Sequence, residues 1–261
     1  MLLLFTDETN LKPDGAAKFF AYGGLLVDSD KLPALHAGIE QIRKTAGYSS
    51  GDDLKFDTRA RPSHVEIAAC TAAKAAVVDL CIELGVKFIA YVVLHAIGKS
   101  KTPEELVRWG ANYVIGRFNY YCSRQGTHGI VVVDRLPSGI EYAYLTDKFA
   151  NGLQFPEDDP VRLDRIHLFA ASAVGASHAC SAMDIVLGSF RYCINSPKNL
   201  EAAKKMMASI TKLIWHERQG DKIFALGRGL IFAPKTVKVE AYKAEYDQLL
   251  GHINTLIANM E

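Results

Sequence analysis

Charge of one sign is missing from this 261-residue chain: 30 lysines and arginines face 29 aspartates and glutamates, a formal net charge of +1. The composition therefore makes no global electrostatic case for a polyanion partner, and any such surface must be local. Cysteine is sparse. Cys70, Cys81, Cys122, Cys180 and Cys193 form no Cys-x-x-Cys pair and no Cys/His zinc spacing, and an odd number does not close a disulfide framework. A reducing compartment is expected. Long apolar runs are absent as well, because Lys74, Asp79, Lys87 and Asp184 interrupt the best candidates before the roughly 18 to 20 residues a membrane helix needs. The apolar residues 1–5 have no basic flank and run straight into Thr6-Asp7-Glu8, so they are expected to form a strand and not a signal peptide. Internal repeats, low-complexity linkers, a Gly-x-Ser-x-Gly elbow and a P-loop spacing are also missing. With 49% hydrophobic and 10% aromatic residues, the expectation is a soluble, cytoplasmic protein with a sizeable core.

What is present has the punctuation of an α/β chain. Strands are expected at residues 2–6 and 19–27, joined through a turn at Pro13-Asp14-Gly15, and again at 86–94, 129–133 and 166–171. The run at 86–94 is almost continuously apolar, as a central, buried strand would be. Helical spacing covers 32–45. Ser63 to Glu66 reads as a capping box for a helix to residue 84, and Thr102-Pro103-Glu104-Glu105 repeats that logic, with proline at the first helical position, for a helix to about 121. Ser138 to Glu141 suits the cap of a helix to 149, before an acidic loop at 156–160. Further helices are expected at 177–192, from Ser196-Pro197 to 216, and at 239–259, with 229–232 a short strand or loop. Strands first, then helices alternating with strands, indicate one α/β domain, with 198–261 as a helical extension packed on it.

Two acids follow apolar runs: Asp7 in Leu-Leu-Leu-Phe-Thr-Asp-Glu and Asp134 in Ile-Val-Val-Val-Asp-Arg. If those strands are neighbours, both carboxylates emerge together. A third, Asp184, falls on a helical face with Ser177, Ser181, Gly188 and Arg191, a polar stripe among apolar neighbours. Asp53 adds a fourth from a loop, beside Asp52 and two positions before Lys55. Clustered carboxylates repel, and a hard divalent cation such as Mg²⁺ or Mn²⁺ is the usual way to hold them. Two such ions about 4 Å apart suit phosphodiester hydrolysis. Each acid also has a plain structural reading: Asp134 as a turn former before Pro-Ser-Gly, Asp184 as the ion-pair partner of Arg191, Asp53 as a solvated loop charge.

At these residues the chain resembles the bacterial and phage family called domain of unknown function 3800. The matching stretches are Asp7-Glu8-Thr9-Asn10, Ala21-Tyr22-Gly23-Gly24-Leu25-Leu26-Val27, Asp53-Leu54-Lys55-Phe56, Val133-Asp134-Arg135 and Ser181-Ala182-Met183-Asp184. Thr9-Asn10 stands where the family has Ser-Gly, Asp53 where it has Glu, and Ser181 where it has Gln. The resemblance spans roughly residues 2–192. It implies an RNase H-like mixed β-sheet flanked by α-helices and a divalent-metal-dependent nuclease acting on DNA or RNA. It implies one or two Mg²⁺ or Mn²⁺ ions on Asp7, Asp53, Asp134 and Asp184, with Glu8 a substitute and Lys55 near the scissile phosphate. The family context also suggests mobile-element or defence partners.

Residues 198–238 are rich in cations, among them Lys204, Lys205, Lys212, Arg218, Lys222 and Arg228, against Glu201, Glu217 and Asp221. This is the local candidate for a phosphate-backbone surface, and solvated helix faces are its plain counterpart. His178 is a candidate general base or a buried structural histidine. The stripe Tyr246, Leu249, Leu250, Ile253 and Ile257 packs internally or makes a homodimer. Two other readings stay open: a catalytically silent RNase H-like module binding nucleic acid or protein, and a phosphohydrolase acting on nucleotides.

Overall fold

The computed structural model describes residues 1–12, 17–134, 141–155, 160–195, 198–220 and 222–257, with backbone alone at 141 and 255–257. The expected turn at 13–15, the cap at 138–141, residues 156–159 of the acidic loop and the Ser196-Pro197 helix opening lie outside the described residues.

The chain opens with β1 (Leu2–Thr9), β2 (Phe19–Asp28), α1 (Leu32–Thr45), α2 (Ile67–Glu83), β3 (Lys87–Leu94) and α3 (Pro103–Arg124). It continues through β4 (Gly129–Val133), α4 (Glu141–Asn151), β5 (Ile166–Ala171), α5 (His178–Ile194) and α6 (Leu200–Leu213). It closes with β6 (Glu217–Gln219), β7 (Lys222–Phe224), β8 (Leu230–Ala233) and α7 (Glu240–Ile257). One mixed sheet has the order β5-β4-β1-β2-β3-β8. β2 is antiparallel to β1 and β3, while β1 with β4, β4 with β5, and β3 with β8 are parallel.

The two-residue period of the strands sorts their side chains between two cores. Phe5, Ala21, Leu25, Phe88 and Val92 pack with residues of α1, α2, α5, α6 and α7. Leu4, Phe20, Tyr22, Tyr91 and Val93 pack on the other face with α3 and α4. The Gly-Gly pair of β2 serves this close packing on both faces. A Cβ on Gly23 would meet Met183 and Leu187 of α5, and one on Gly24 would meet Leu4 and Val114 of α3. β3 has neighbours on both sides, and all of it but Lys87 is buried, as its apolar run requires.

Capping divides along local lines. At α3 the Thr102 hydroxyl accepts from the Glu105 amide at 3.2 Å and the Glu105 carboxylate from the Thr102 amide at 2.8 Å, the expected reciprocal box. The box expected at Ser63 does not form. The Val65 amide donates to the Pro62 carbonyl, Val65 is buried, and α2 starts only after Glu66, which makes no side-chain cap. Two further expectations need correction. α6 ends at Leu213, because the Trp215 amide turns to the Phe88 carbonyl of β3. The segment after 198 is not purely helical, since it adds the β6-β7 hairpin and supplies β8 to the main sheet. Tyr246, Leu249 and Ile253 of α7 are buried within the chain, so that much of its stripe packs internally. The five cysteines are buried and free. Among the described residues no helix is long and apolar enough to cross a membrane.

Candidate active site

β1 and β4 run side by side, with Thr6 opposite Val133 as their last register pair, and the Asp134 amide donates to the Thr6 carbonyl at 3.2 Å. Asp134 therefore leaves the sheet where Asp7 is reached on β1. Asp7 is not at a strand end, as its sequence context suggested. β1 runs on to Thr9 because β2 keeps pairing with it, Asp7 opposite Gly23 and Thr9 opposite Ala21. The site opens because β4 stops. Strand alternation turns Asp7 toward the α5 face, with Phe5, and Glu8 toward the α3 face, with Thr6, whose hydroxyl meets that of Tyr22 at 2.7 Å.

α5 packs across β1, and Asp184 is anchored from a third direction. Its Oδ2 accepts the Phe56 amide at 2.6 Å. Phe56 lies against Gly188, one turn further along α5, where a Cβ would run into its ring. The Lys74 ammonium holds the Phe56 carbonyl at 3.0 Å and the Thr58 hydroxyl at 2.7 Å, and Leu54 is buried in the core. The expected polar stripe of α5 is thus the seat of residues 53–57. The Arg191 guanidinium lies 5.8 Å from the Phe56 ring centroid and is not an ion-pair partner at Asp184. Gly188→Ala is expected to lower stability by about 1 to 3 kcal/mol, as overpacking does. Gly251→Ala in α7, where the new methyl meets nothing, is expected to gain about 0.5 to 1 kcal/mol. Urea unfolding of the two variants checks both signs.

The carboxyl groups lie in one another's fields. Burial pushes Asp7 well above the usual carboxylate range, and Glu8, Asp184 and Asp134 push it further, against its bond from the Glu8 amide at 2.8 Å. Glu8 is pushed up to about 7, by burial first and then by Asp134. Asp184 is also raised by burial and by Asp134, but the Phe56 amide, Lys55 and Arg191 resist. Cys180, one turn before Asp184 on α5, belongs to the same surroundings. Its thiol is raised by burial and by Asp134 and Asp7, and it contacts the Ser172 hydroxyl at 3.5 Å. The four-residue spacing of Cys180 and Asp184 was the available signal for it. The Phe56 amide carried none.

Asp53 and His178 have partners of their own. Asp53 pairs with Lys55 at 3.6 Å, and Lys55 is one of two cations, with Arg191, whose charge reaches Asp184. His178 caps no carboxylate of the set. It meets Glu40 of α1 at 3.2 Å and lies tilted at 52° to the His36 ring, and its pKa is lowered by burial, then by Arg43 and His36. It shares a cavity of about 190 Å³ with Asp53, Arg43 and Ser181. The cationic set is dispersed. Lys204 pairs with Glu201 on α6, and Arg228 with Glu217, which also meets Arg124. Arg124 ends α3 just before β4 begins, whereas Asp134 follows the end of β4. Arg218 and Lys222 project from the β6-β7 hairpin, and Lys205 and Lys212 are exposed on α6. Among the described residues, no group of three or more His, Cys, Asp or Glu side chains is arranged to hold a metal ion.

No family model matches the chain, and no curated protein does. Solved structures with a similar course of the chain include RNase HII in its PCNA complex from Archaeoglobus fulgidus, at 12% identity over 73% of each chain with a TM-score of 0.42. Bst-RNase HIII with Mn²⁺ is similar at 12% identity over 81% of this chain and 62% of that one, TM-score 0.39. A point mutant of Bst-RNase HIII is similar at 14% identity over 80% and 61%, TM-score 0.36. The chain thus spans less than two thirds of the length of either Bst protein.

Proposed function

We propose that this chain is an RNase H-like, divalent-metal-dependent nuclease that hydrolyses phosphodiester bonds of DNA or RNA. The observation that carries the reading is the set Asp7, Glu8, Asp134 and Asp184, partly buried carboxyl groups in which Asp134, just after the end of β4, raises the proton affinity of the other three. An acid on β1, an acid after the parallel β4 and an acid on the helix laid over them come from distant parts of the sequence, and the antiparallel β1-β2-β3 unit holds the first in place.

The donor set fits a hard cation in chemistry: all oxygen, ionisable and mutually repelling. Among the described residues no three of these side chains are arranged to hold an ion, so the fit is one of donor chemistry and not of geometry. Asp7, Asp134 and Asp184 would hold the ion, with Glu8 at the flank. A bound divalent cation supplies charge neutralisation at phosphoryl oxygens and acidifies water. The chain's own groups do the rest. The Phe56 amide fixes the rotamer of Asp184, Lys55 brings positive charge to the same side, and Cys180 stays a protonated, neutral thiol. His178, held to Glu40, is left out of the proton transfers.

The test is cleavage of labelled single- and double-stranded DNA, RNA and hybrid, together with free nucleotides, in Mg²⁺ or Mn²⁺ and in EDTA. Metal-dependent cleavage of a polynucleotide is expected. Cleavage of nucleotides alone would favour the phosphohydrolase reading. Intact substrates that the protein nevertheless retards would favour the silent binding module, a reading that the bond from the Phe56 amide to Asp184 also permits.

A further inference from the structure

Arg191 follows Asp184 on α5 by seven residues, close to two helical turns, so the two share one side of the helix with Gly188 between them. Phe56 links them. Its amide holds Asp184 at 2.6 Å, its ring lies against Gly188, and the Arg191 guanidinium stands 5.8 Å from the ring centroid, within the range of a cation–π contact.

The charge of Arg191 is not closed by any acid. Its side chain is half-buried, its Nε is buried without a hydrogen-bond partner, and among the described residues no ion pair or hydrogen bond engages the rest of the guanidinium. The acids that its charge reaches are already taken, Asp57 by Arg59 at 3.0 Å and Asp184 by the Phe56 amide. Lys204 and Arg228 of the last third differ, each being paired with a glutamate. A buried donor without an acceptor is costly, more so on a charged group, and Arg191 carries one two turns from the acid set.

A planar guanidinium matches phosphate oxygens in pairs, which an ammonium does not. The phosphate under attack belongs at the carboxyl groups, where Lys55 also brings its charge. Arg191 stands at the ring of Phe56 and Asp184 at its amide, with no ion pair between them, so a phosphate on Arg191 is a different one. We propose that Arg191 binds a second backbone phosphate of the strand lying across the acids, so that the site takes a polynucleotide and not a lone nucleotide. The path of that strand rests on the nuclease reading.

The experiment is fluorescence anisotropy of a labelled single strand with the full chain in EDTA, at several salt concentrations, beside cleavage of the same strand in Mn²⁺. Arg191→Gln is expected to weaken binding about tenfold and to lower the slope of log affinity against log salt by about 0.7, the share of one phosphate on a single strand. Arg191→Lys keeps the charge and loses the fork, so it should keep the slope and recover part of the affinity. Lys31→Gln removes the same charge from an exposed position near the pairing of Leu2 with Asp28, at the other end of β1 from Asp7, and should change neither. Unfolding midpoints confirm that the variants fold. If Arg191→Gln does not, Arg191→Met, which keeps an apolar stem on the Phe56 ring, takes its place. A strand that does not bind the wild type, unchanged affinity and slope on loss of the Arg191 charge, an equal loss in Lys31→Gln, or a mononucleotide that binds as tightly as the strand would overturn the proposal. Failure of the nuclease reading gives another result: binding that depends on Arg191, which supports the contact, with a strand that stays whole in Mn²⁺.

Discussion

Asp134→Asn is expected to lower metal-dependent cleavage by more than about a hundredfold, beyond the loss seen when a group one shell further from a metal is removed. Asparagine keeps the shape of the side chain, and the backbone bond from residue 134 to Thr6 does not depend on it. What disappears is the charge that raises Asp7, Glu8 and Asp184. The same substitution should therefore leave the metal-free protein at least as stable as the wild type at pH 8. The two readouts belong together: cleavage rate and urea midpoint on one preparation. A variant that cleaves within tenfold of wild type would remove Asp134 from the site, and one that loses both activity and stability would make it a structural residue.

The stability of the metal-free protein is expected to fall as pH rises from about 5 to 8, and Mn²⁺ should restore it at the upper end only. Glu8 has an ordinary value of 4.5 and is pushed up to about 7 in the fold, and Asp7 and Asp184 are raised as well. Between those two values the folded chain binds more protons than the unfolded one, so stability is present below the ordinary value and lost as pH climbs through the folded one. For Glu8 alone the loss is on the order of 3 kcal/mol. His178 works the other way: its lowered pKa makes stability rise with pH up to its ordinary 6.5. The difference between wild type and Glu8→Gln isolates the share of the acid. Denaturant midpoints in EDTA at pH 5 and 8, then with Mn²⁺, measure it. A flat profile, or one indifferent to Mn²⁺ at pH 8, would sink the account of the four acids as an electrostatically frustrated metal seat.

Much of this protein could be read locally. The valine-rich strands, the Thr102 box and the period of α1 are set by neighbours within a few residues, and each forms as its sequence pattern indicates. The Ser63 box has the same pattern and fails, because burying Val65 in the core pulls residues 62–65 into a turn. The same division runs through the site. Asp7, Asp134 and Asp184 stand out as acids among apolar residues, but only the parallel pairing of β1 with β4 brings the first two side by side. His178 reads from sequence as a general base or a structural histidine, and its contact with Glu40 of α1 is one that no local pattern reports.

The balanced charge at the level of composition likewise says nothing about placement. Four acids converge where one strand stops, while the cations of the last third divide between α6 and the far end of α3. The sequence by itself determined the elements, their polarity patterns and the supply of carboxylates, since periodicity and capping are local. Which strand ends beside which, which glycine admits Phe56, and which amide anchors Asp184 were decided by tertiary structure. Those are contacts between residues tens to more than a hundred positions apart, on which no local pattern reports.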